Sequence, residues 1–495
     1  MKFAIELWAD SFHEGDWACR QLGVIAVAHG WEHHVTYVQG FIPKHVLKAT
    51  DLEITITVYG SYNSWDPVPP IIAELLSWGK PDFVAYEPLE RRILFAVEET
   101  AAVPTGNQAL QRCERLYGSA RTQIPFWYLL SEYGQHKDKG VRRDSIWPTV
   151  MALKLTHTKK VPCVVLHYSD IDHPENYSAG AGLASLFKAL FQIIDNAARK
   201  KPFDSGMSSI LEEQYLGMLT FLDSQWKNIV DYLPGYEHLA TPAPLSKQFA
   251  AIAMQKWSGR TVAWPDKFLI WPKVSELPGE IRDRQKSKGL IKHDDLCEKF
   301  EHDAGAGTAY CLSDNAGSRP QPMDSLIVWI RDQKKLFDRA PQLKPPARFT
   351  IDLADFPTSE SGNRHITTAK NIVYLYDRWA DVRAAVEKVY PRLDGKLDLS
   401  CDEVPALVYL SNSIKPGRIF GDPFTGQIAA YATAFGKLDP RPRVVLVYFP
   451  HQAHTQAIPN AAASTNKGLT MMSELTDYLL FTGGVAVSMK TRTIL

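Results

Sequence analysis

Asp82, Glu98 and Glu99 are the residues whose types and spacing best support chemistry in this chain. Asp82 follows Pro81 and opens the apolar run 83–86, while Glu98 and Glu99 close the apolar run 93–97. Pro88-Leu89 lies between the runs, so the segment reads as two short strands joined by a turn. Antiparallel pairing sets the start of one strand beside the end of the next, which carries Asp82 toward Glu98 and Glu99. Carboxylates gathered at one end of a sheet suit a hard divalent cation, magnesium or else manganese. Such a centre can activate water and stabilise the departing oxygen of a phosphodiester, while screening the charge of the scissile phosphate. The plainer alternative is an exposed hairpin whose acids only solvate a sheet edge.

Positioning these acids requires elements on both sides. Ser11-Phe12-His13-Glu14 has the form of a capping box and opens a helix to about residue 29. Alternating apolar residues predict a half-buried strand over 52–59, and a helix over 68–78 leads into the Asp82 hairpin. Thr105 to Gln108 forms a second capping pattern, starting a helix through about 117. Its residues Gln108, Gln111, Arg112 and Arg115 make a polar stripe, suited to a backbone phosphate or to solvent. A strand over 124–130, a helix over 147–155, a strand over 161–167 and a long helix over 182–198 follow. Strands separated by helices indicate a mixed α/β sheet.

The segment 79–133 resembles the PD-(D/E)XK nuclease superfamily, which includes restriction endonucleases and repair and defence nucleases. The pieces that carry the likeness are Pro81-Asp82, the strand ending Glu98-Glu99-Thr100, and the helix from Gln108 to Tyr117. The resemblance covers about the first 200 residues, and its motif is short and degenerate. It implies a restriction-endonuclease-like mixed sheet flanked by helices, with Asp82 and Glu98 as metal ligands and the Glu99 carbonyl adding an oxygen. Gln108 and Arg112 join Asp82 and Glu98 as the implied catalytic residues, and Glu14 corresponds loosely to an upstream acid whose capping role is a sufficient explanation by itself. Where the family carries lysine this chain has Thr100, and the candidates for the missing positive charge are Arg112 and Lys80; if neither reaches the site, the domain is a binding scaffold without cleavage. By resemblance the activity is a magnesium-dependent endodeoxyribonuclease of a restriction or phage-defence system. DNA is the expected partner with RNA left open, and a homodimer or a defence-complex subunit is the expected assembly. The alternative is an inactive nuclease-fold protein that binds nucleic acid or a partner subunit.

The remaining sequence is less pointed. At 495 residues the chain exceeds one ordinary core. It divides into a nuclease-like domain over 1–200, a helical and connector region over 201–347, and a smaller C-terminal α/β domain over 348–495 for recognition or assembly. The middle is helical over 202–236 and irregular over 266–348; the last region has a helix over 367–389, strands over 406–410 and 444–449, and a helix over 475–481. Charge is balanced, with 55 basic and 55 acidic residues, so net charge does not advertise nucleic acid. Basic segments at 137–143, 282–288 and 441–443 could hold phosphates or simply face solvent. The six cysteines are scattered without a C-x-x-C pair, which fits a reducing cytosol rather than a disulfide scaffold. No stretch approaches the ~20 apolar residues of a membrane span, so a cytoplasmic protein without a membrane partner is expected.

Two histidine groups offer a rival metal chemistry within an unrelated α/β hydrolase or binding protein. His29 to His33 matches H-x-x-E-H, but Gly30 reads as a helix end that would part the two rings, and His451 with His454 has neither metalloprotease spacing. The element 421–426 reads as a turn before a helical stretch. No phosphate-binding G-x-x-x-x-G-K-[ST] and no nucleophile G-x-S-x-G occurs.

Overall fold

The computed structural model describes residues 1–60, 62, 67–100, 110, 112–131, 147–168, 181–232, 309–311, 372–376, 378–400, 402–404, 406–410, 426, 428–430, 432–433, 444–449, 471, 474–481, 485–491 and 493–495. They belong to two compact units, each organised on its own sheet.

The first unit begins with strand β1 (Lys2–Ala9) and helix α1 (Phe12–Ala28). The expected capping box starts α1: Ser11 Oγ accepts from the Glu14 amide at 3.2 Å, and Glu14 Oε2 accepts from the Ser11 amide at 3.0 Å. Strands β2 (Glu32–Val38), β3 (Ile42–Lys48) and β4 (Glu53–Tyr59) follow as an antiparallel meander. Helix α2 (Pro70–Leu76) precedes the hairpin of β5 (Phe83–Glu87) and β6 (Arg92–Thr100). Next come α3 (Cys113–Arg121), β7 (Phe126–Ser131), α4 (Trp147–Lys159), β8 (Cys163–Tyr168), α5 (Ala181–Ala198) and α6 (Met207–Tyr232), of which the first unit takes the part up to Lys227.

Eight strands form one mixed sheet in the order β2-β3-β4-β1-β5-β6-β7-β8. The expected hairpin is present, with Phe83 opposite Val97 in antiparallel register. β1 pairs parallel with β4 and antiparallel with β5, while β6, β7 and β8 run parallel. The β1–α1–β4 connection therefore travels one way along the sheet, and the crossovers through α3 and α4 travel the other way. Right-handed crossovers moving in opposite directions put their helices on opposite faces. Accordingly α3 packs on α4, and α1 packs on α5. The core between them is apolar, with Leu7, Ile54, Ile56, Phe95, Trp127, Val164, Leu190 and Ile194 all buried.

The second unit carries a seven-stranded sheet: β9 (Ala309–Cys311), β10 (Ile372–Tyr376), β11 (Ala406–Leu410), β12 (Val444–Phe449), β13 (Tyr478–Phe481), β14 (Val485–Ser488) and β15 (Thr493–Ile494), each paired with its neighbour in number. Helix α7 (Trp379–Val389) lies between β10 and β11.

Two expectations here are corrected. The helix expected over 367–389 begins only at Trp379, because Ile372–Tyr376 is a short β-branched and aromatic run that pairs with β9 and β11. The helix expected over 475–481 is likewise a strand from Tyr478, held by parallel pairing to β12. β9 falls inside the stretch read as a connector and completes that sheet's edge. Among the described residues, no helix is long and apolar enough to cross a membrane.

Candidate functional site

Strand alternation and one short hairpin bring the acids together. Because β1, β4 and β6 are mutually parallel, their C-terminal ends lie at one edge of the sheet, and the N-terminus of β5 lies among them. The Asp10 amide donates to the Asp82 carbonyl at 2.8 Å, joining the end of β1 to the start of β5. The buried Tyr62, just past β4, donates its hydroxyl to the Pro81 carbonyl at 2.7 Å. Asp82 is thereby fixed on both flanks, and its Oδ2 accepts from the Glu99 amide at 2.5 Å. The Glu99 amide thus serves Asp82 directly, a contact separate from the Glu99 carbonyl that the family resemblance offers to a metal.

Glu98 and Thr100 are two apart on β6 and so share the face opposite Glu99. That face meets α3. Arg115 sits only 8 % exposed in its side chain, with Nη1 in direct ion-pair contact with Glu98 Oε1 and 3.9 Å from Asp82 Oδ1. Its Nε is 3.6 Å from Glu114. Arg112, 39 % exposed, stands 3.7 Å from the same Glu98 oxygen. The stripe proposed for this helix is therefore divided. Arg115 points inward to the carboxylates, Arg112 bridges the rim, and Gln108 and Gln111 lie outside the described residues.

Thr100, in the position expected to carry lysine, exchanges a 3.0 Å hydrogen bond with the Tyr128 hydroxyl of the neighbouring strand. Lys80, beside Asp82 in sequence, is exposed, and among the described residues it forms no ion pair. Arg115 is thus the cation that sequence reasoning underrated. Its signal was the i, i+3 spacing from Arg112, which cannot by itself say which face of α3 turns inward. Two glycines allow the close fit. A Cβ on Gly79 would come within 2.7 Å of Arg115 Cγ, and one on Gly118 within 2.2 Å of Trp78 Cβ.

Burial dominates the electrostatics. It pushes the Glu98 carboxyl up to about 7, with the Arg115 charge opposing the rise. Burial first, and the Glu98 charge second, hold Asp82 well above the usual carboxylate range; the Glu14 charge adds to the rise. Tyr62 is raised by burial and then by Asp82 and Glu98. Glu98 Oε2 is buried and has no hydrogen-bond partner among the described residues. A second cation near this pair would let both carboxylates ionise and would satisfy that oxygen.

The histidine expectations resolve simply where they are described. His29 follows the end of α1 at a turn through Gly30 (φ +80°), and His33 lies on β2, so the two belong to different elements. His451, His454, the basic segments 137–143, 282–288 and 441–443, and most of the 421–426 turn lie outside the described residues. Among the described residues, no group of three or more His, Cys, Asp or Glu side chains is arranged to hold a metal.

No family model matches the chain, and no curated protein matches it. Among solved structures, it is matched with the cytosolic domain of the T. maritima FeoB iron transporter, in a GDP form. Identity is 12 %, over 52 % of this chain and 87 % of that one, with a TM-score of 0.20. A likeness of that size carries no argument about fold or activity.

Proposed function

We propose that this chain is a magnesium-dependent endonuclease that hydrolyses DNA phosphodiester bonds, in a restriction or phage-defence setting. The observation that supports it is the convergence of Asp82 and Glu98 around Arg115 at the C-terminal ends of β1, β4 and β6. Chain connections leave this region in opposite directions, and open α/β sheets tend to bind ligands in the crevice such a reversal creates.

The donor set fits magnesium, which characteristically takes one or two carboxylates and keeps several waters. Asp82 and Glu98 would hold it, with Glu98 Oε2, which has no hydrogen-bond partner among the described residues, as the available lone pair. When bound, it would supply charge neutralisation and an activated water. Asp82 is pre-oriented by the Glu99 amide, so its carboxylate needs little reorganisation. Arg115 fixes Glu98 and supplies the positive charge that Thr100 lacks. Arg112, at the rim, is placed to meet a phosphate oxygen as a charge-assisted donor.

One observation favours a second reading. The Glu98–Arg115 pair is already charge-matched and almost wholly buried, as a binding scaffold without cleavage would have it. Incubation of the purified protein with supercoiled DNA and magnesium or manganese separates the two. Nicking that is lost in Asp82→Ala supports the nuclease. Nicking that persists in Asp82→Ala removes this site from the reaction, and absence of cleavage on DNA and RNA with retained binding favours the scaffold.

A further inference from the structure

On the sheet's outer edge, a second polar group lies apart from the carboxylate site. His45 of β3 is fully buried. Its Nε2 is 2.9 Å from Asp16 Oδ1 on α1, and its Nδ1 is 3.0 Å from His33 Nε2 on β2. The two rings are nearly coplanar, with a 12° tilt and centroids 5.3 Å apart. A Cβ on Gly23 would fall 2.2 Å from His33 Nδ1, so α1 presses directly on that ring. One hydrogen-bonded chain, Asp16–His45–His33, thus ties α1 to both strands of the edge hairpin.

Donor counting fixes its protons. An ionised carboxylate only accepts, so His45 Nε2 carries hydrogen and His45 Nδ1 must then accept. His33 Nε2 therefore donates. One added proton is tolerated, because imidazolium His45 can still donate to Asp16 and, through Nδ1, to a neutral His33. A second added proton leaves two N–H groups facing each other at the 3.0 Å contact. We propose that this chain is an acid-operated latch: it holds the β2–β3 hairpin on α1 near neutral pH and releases it when both histidines are protonated.

The surrounding charges pull both ways, with Arg20 against protonation and Asp16 for it. From α1, Arg20 faces the pair while bonded to Asp16 at 2.7 Å. On β2, His34 lies next to His33 and 3.3 Å from Glu32, and Tyr37 interacts with Arg20. On β3, Lys44 and Lys48 fall on the strand face opposite His45, and Lys48 lies 3.8 Å from Glu32. On β4, the residue paired with His45 is the uncharged Ile56. Buried Cys19 lies near Asp16 and Arg20 on α1. Burial lowers both histidines first; Arg20 then lowers His33, while Asp16 opposes the shift at His45. A depressed folded pKa means the stabilisation is intact above the unfolded value, ~6.5, and is lost as pH falls below it.

Hydrogen exchange on the full chain, corrected for intrinsic rates, tests the latch. Between pH 7.5 and 5.0, protection in peptides covering 32–48 should fall about tenfold or more, the equivalent of one unit of differential protonation, while peptides over 83–100 stay protected. His33→Gln keeps a donor to His45 but does not titrate, so its hairpin should remain protected at pH 5.0. Equal wild-type protection at both pH values, or the same acid loss in His33→Gln, overturns the latch. Long-range ¹H–¹⁵N spectra at pH 7.5 give a second check that needs no variant. Both rings should show hydrogen on Nε2, and a His45 with hydrogen on Nδ1 overturns the assignment.

Discussion

Arg115→Met probes the carboxylate cluster most directly, because it removes the buried cation and keeps most of the side-chain volume. Arg115 Nη1 is 3.9 Å from Asp82 and closer still to Glu98. At an effective dielectric near 20, a unit pair at that distance is worth about 4 kcal/mol. Breaking one partner out of a buried ion pair costs about 3–5 kcal/mol, since the remaining charge is stranded. Protonation caps the loss. Glu98 already sits at about 7, and without Arg115 it rises further and takes up a proton at neutral pH. The destabilisation should therefore grow with pH, to about 3 kcal/mol at pH 8, and shrink toward pH 6. Urea unfolding followed by circular dichroism, at both pH values, measures it. Glu98→Gln placed in the Arg115→Met background should recover part of the loss at pH 8, because no charge is left stranded at position 98. A loss below about 1 kcal/mol at pH 8, or strict additivity of the two substitutions, would refute the coupling argued from this geometry.

Two further outcomes follow from the same site. Gly118→Ala should destabilise by about 1–3 kcal/mol in thermal unfolding, since its methyl meets Trp78 Cβ and forces α3 and the segment after α2 apart; unchanged stability would mean that this contact relaxes freely. If the nuclease reading holds, cleavage at limiting magnesium should rise with pH through about 7, as Glu98 sheds its proton. Saturating magnesium should move that midpoint to lower pH, and a flat profile would remove Glu98 ionisation from the reaction.

The hairpin was legible because two apolar runs, a Pro-containing turn and acids at the matching ends all specify one local geometry. Register followed from it, with Phe83 opposite Val97. The capping box of α1 was equally local. Arg115 was not, since its inward aim depends on how α3 lies against β6, a tertiary fact. The strands at 372–376 and 478–481 fall next to genuinely helical residues, so the short runs were absorbed into them, and the pairing that decides their state comes from segments far along the chain. The chain of His33, His45 and Asp16 needs the pairing of two strands and the placement of a helix at once, and no spacing rule announces it.

β1 occupies the fourth place in an eight-stranded order, flanked by β4 and β5. Residues 2–9 are therefore the seam of the first unit rather than a trimmable end. Deleting them would leave β2-β3-β4 and β5-β6-β7-β8 as separate ribbons, with two raw edges where backbone partners had been. During synthesis the same strand must wait for its mates, the nearer about fifty residues downstream and the other about eighty. Until both have left the ribosome, the half of the cluster that depends on Asp82 has no wall to stand on.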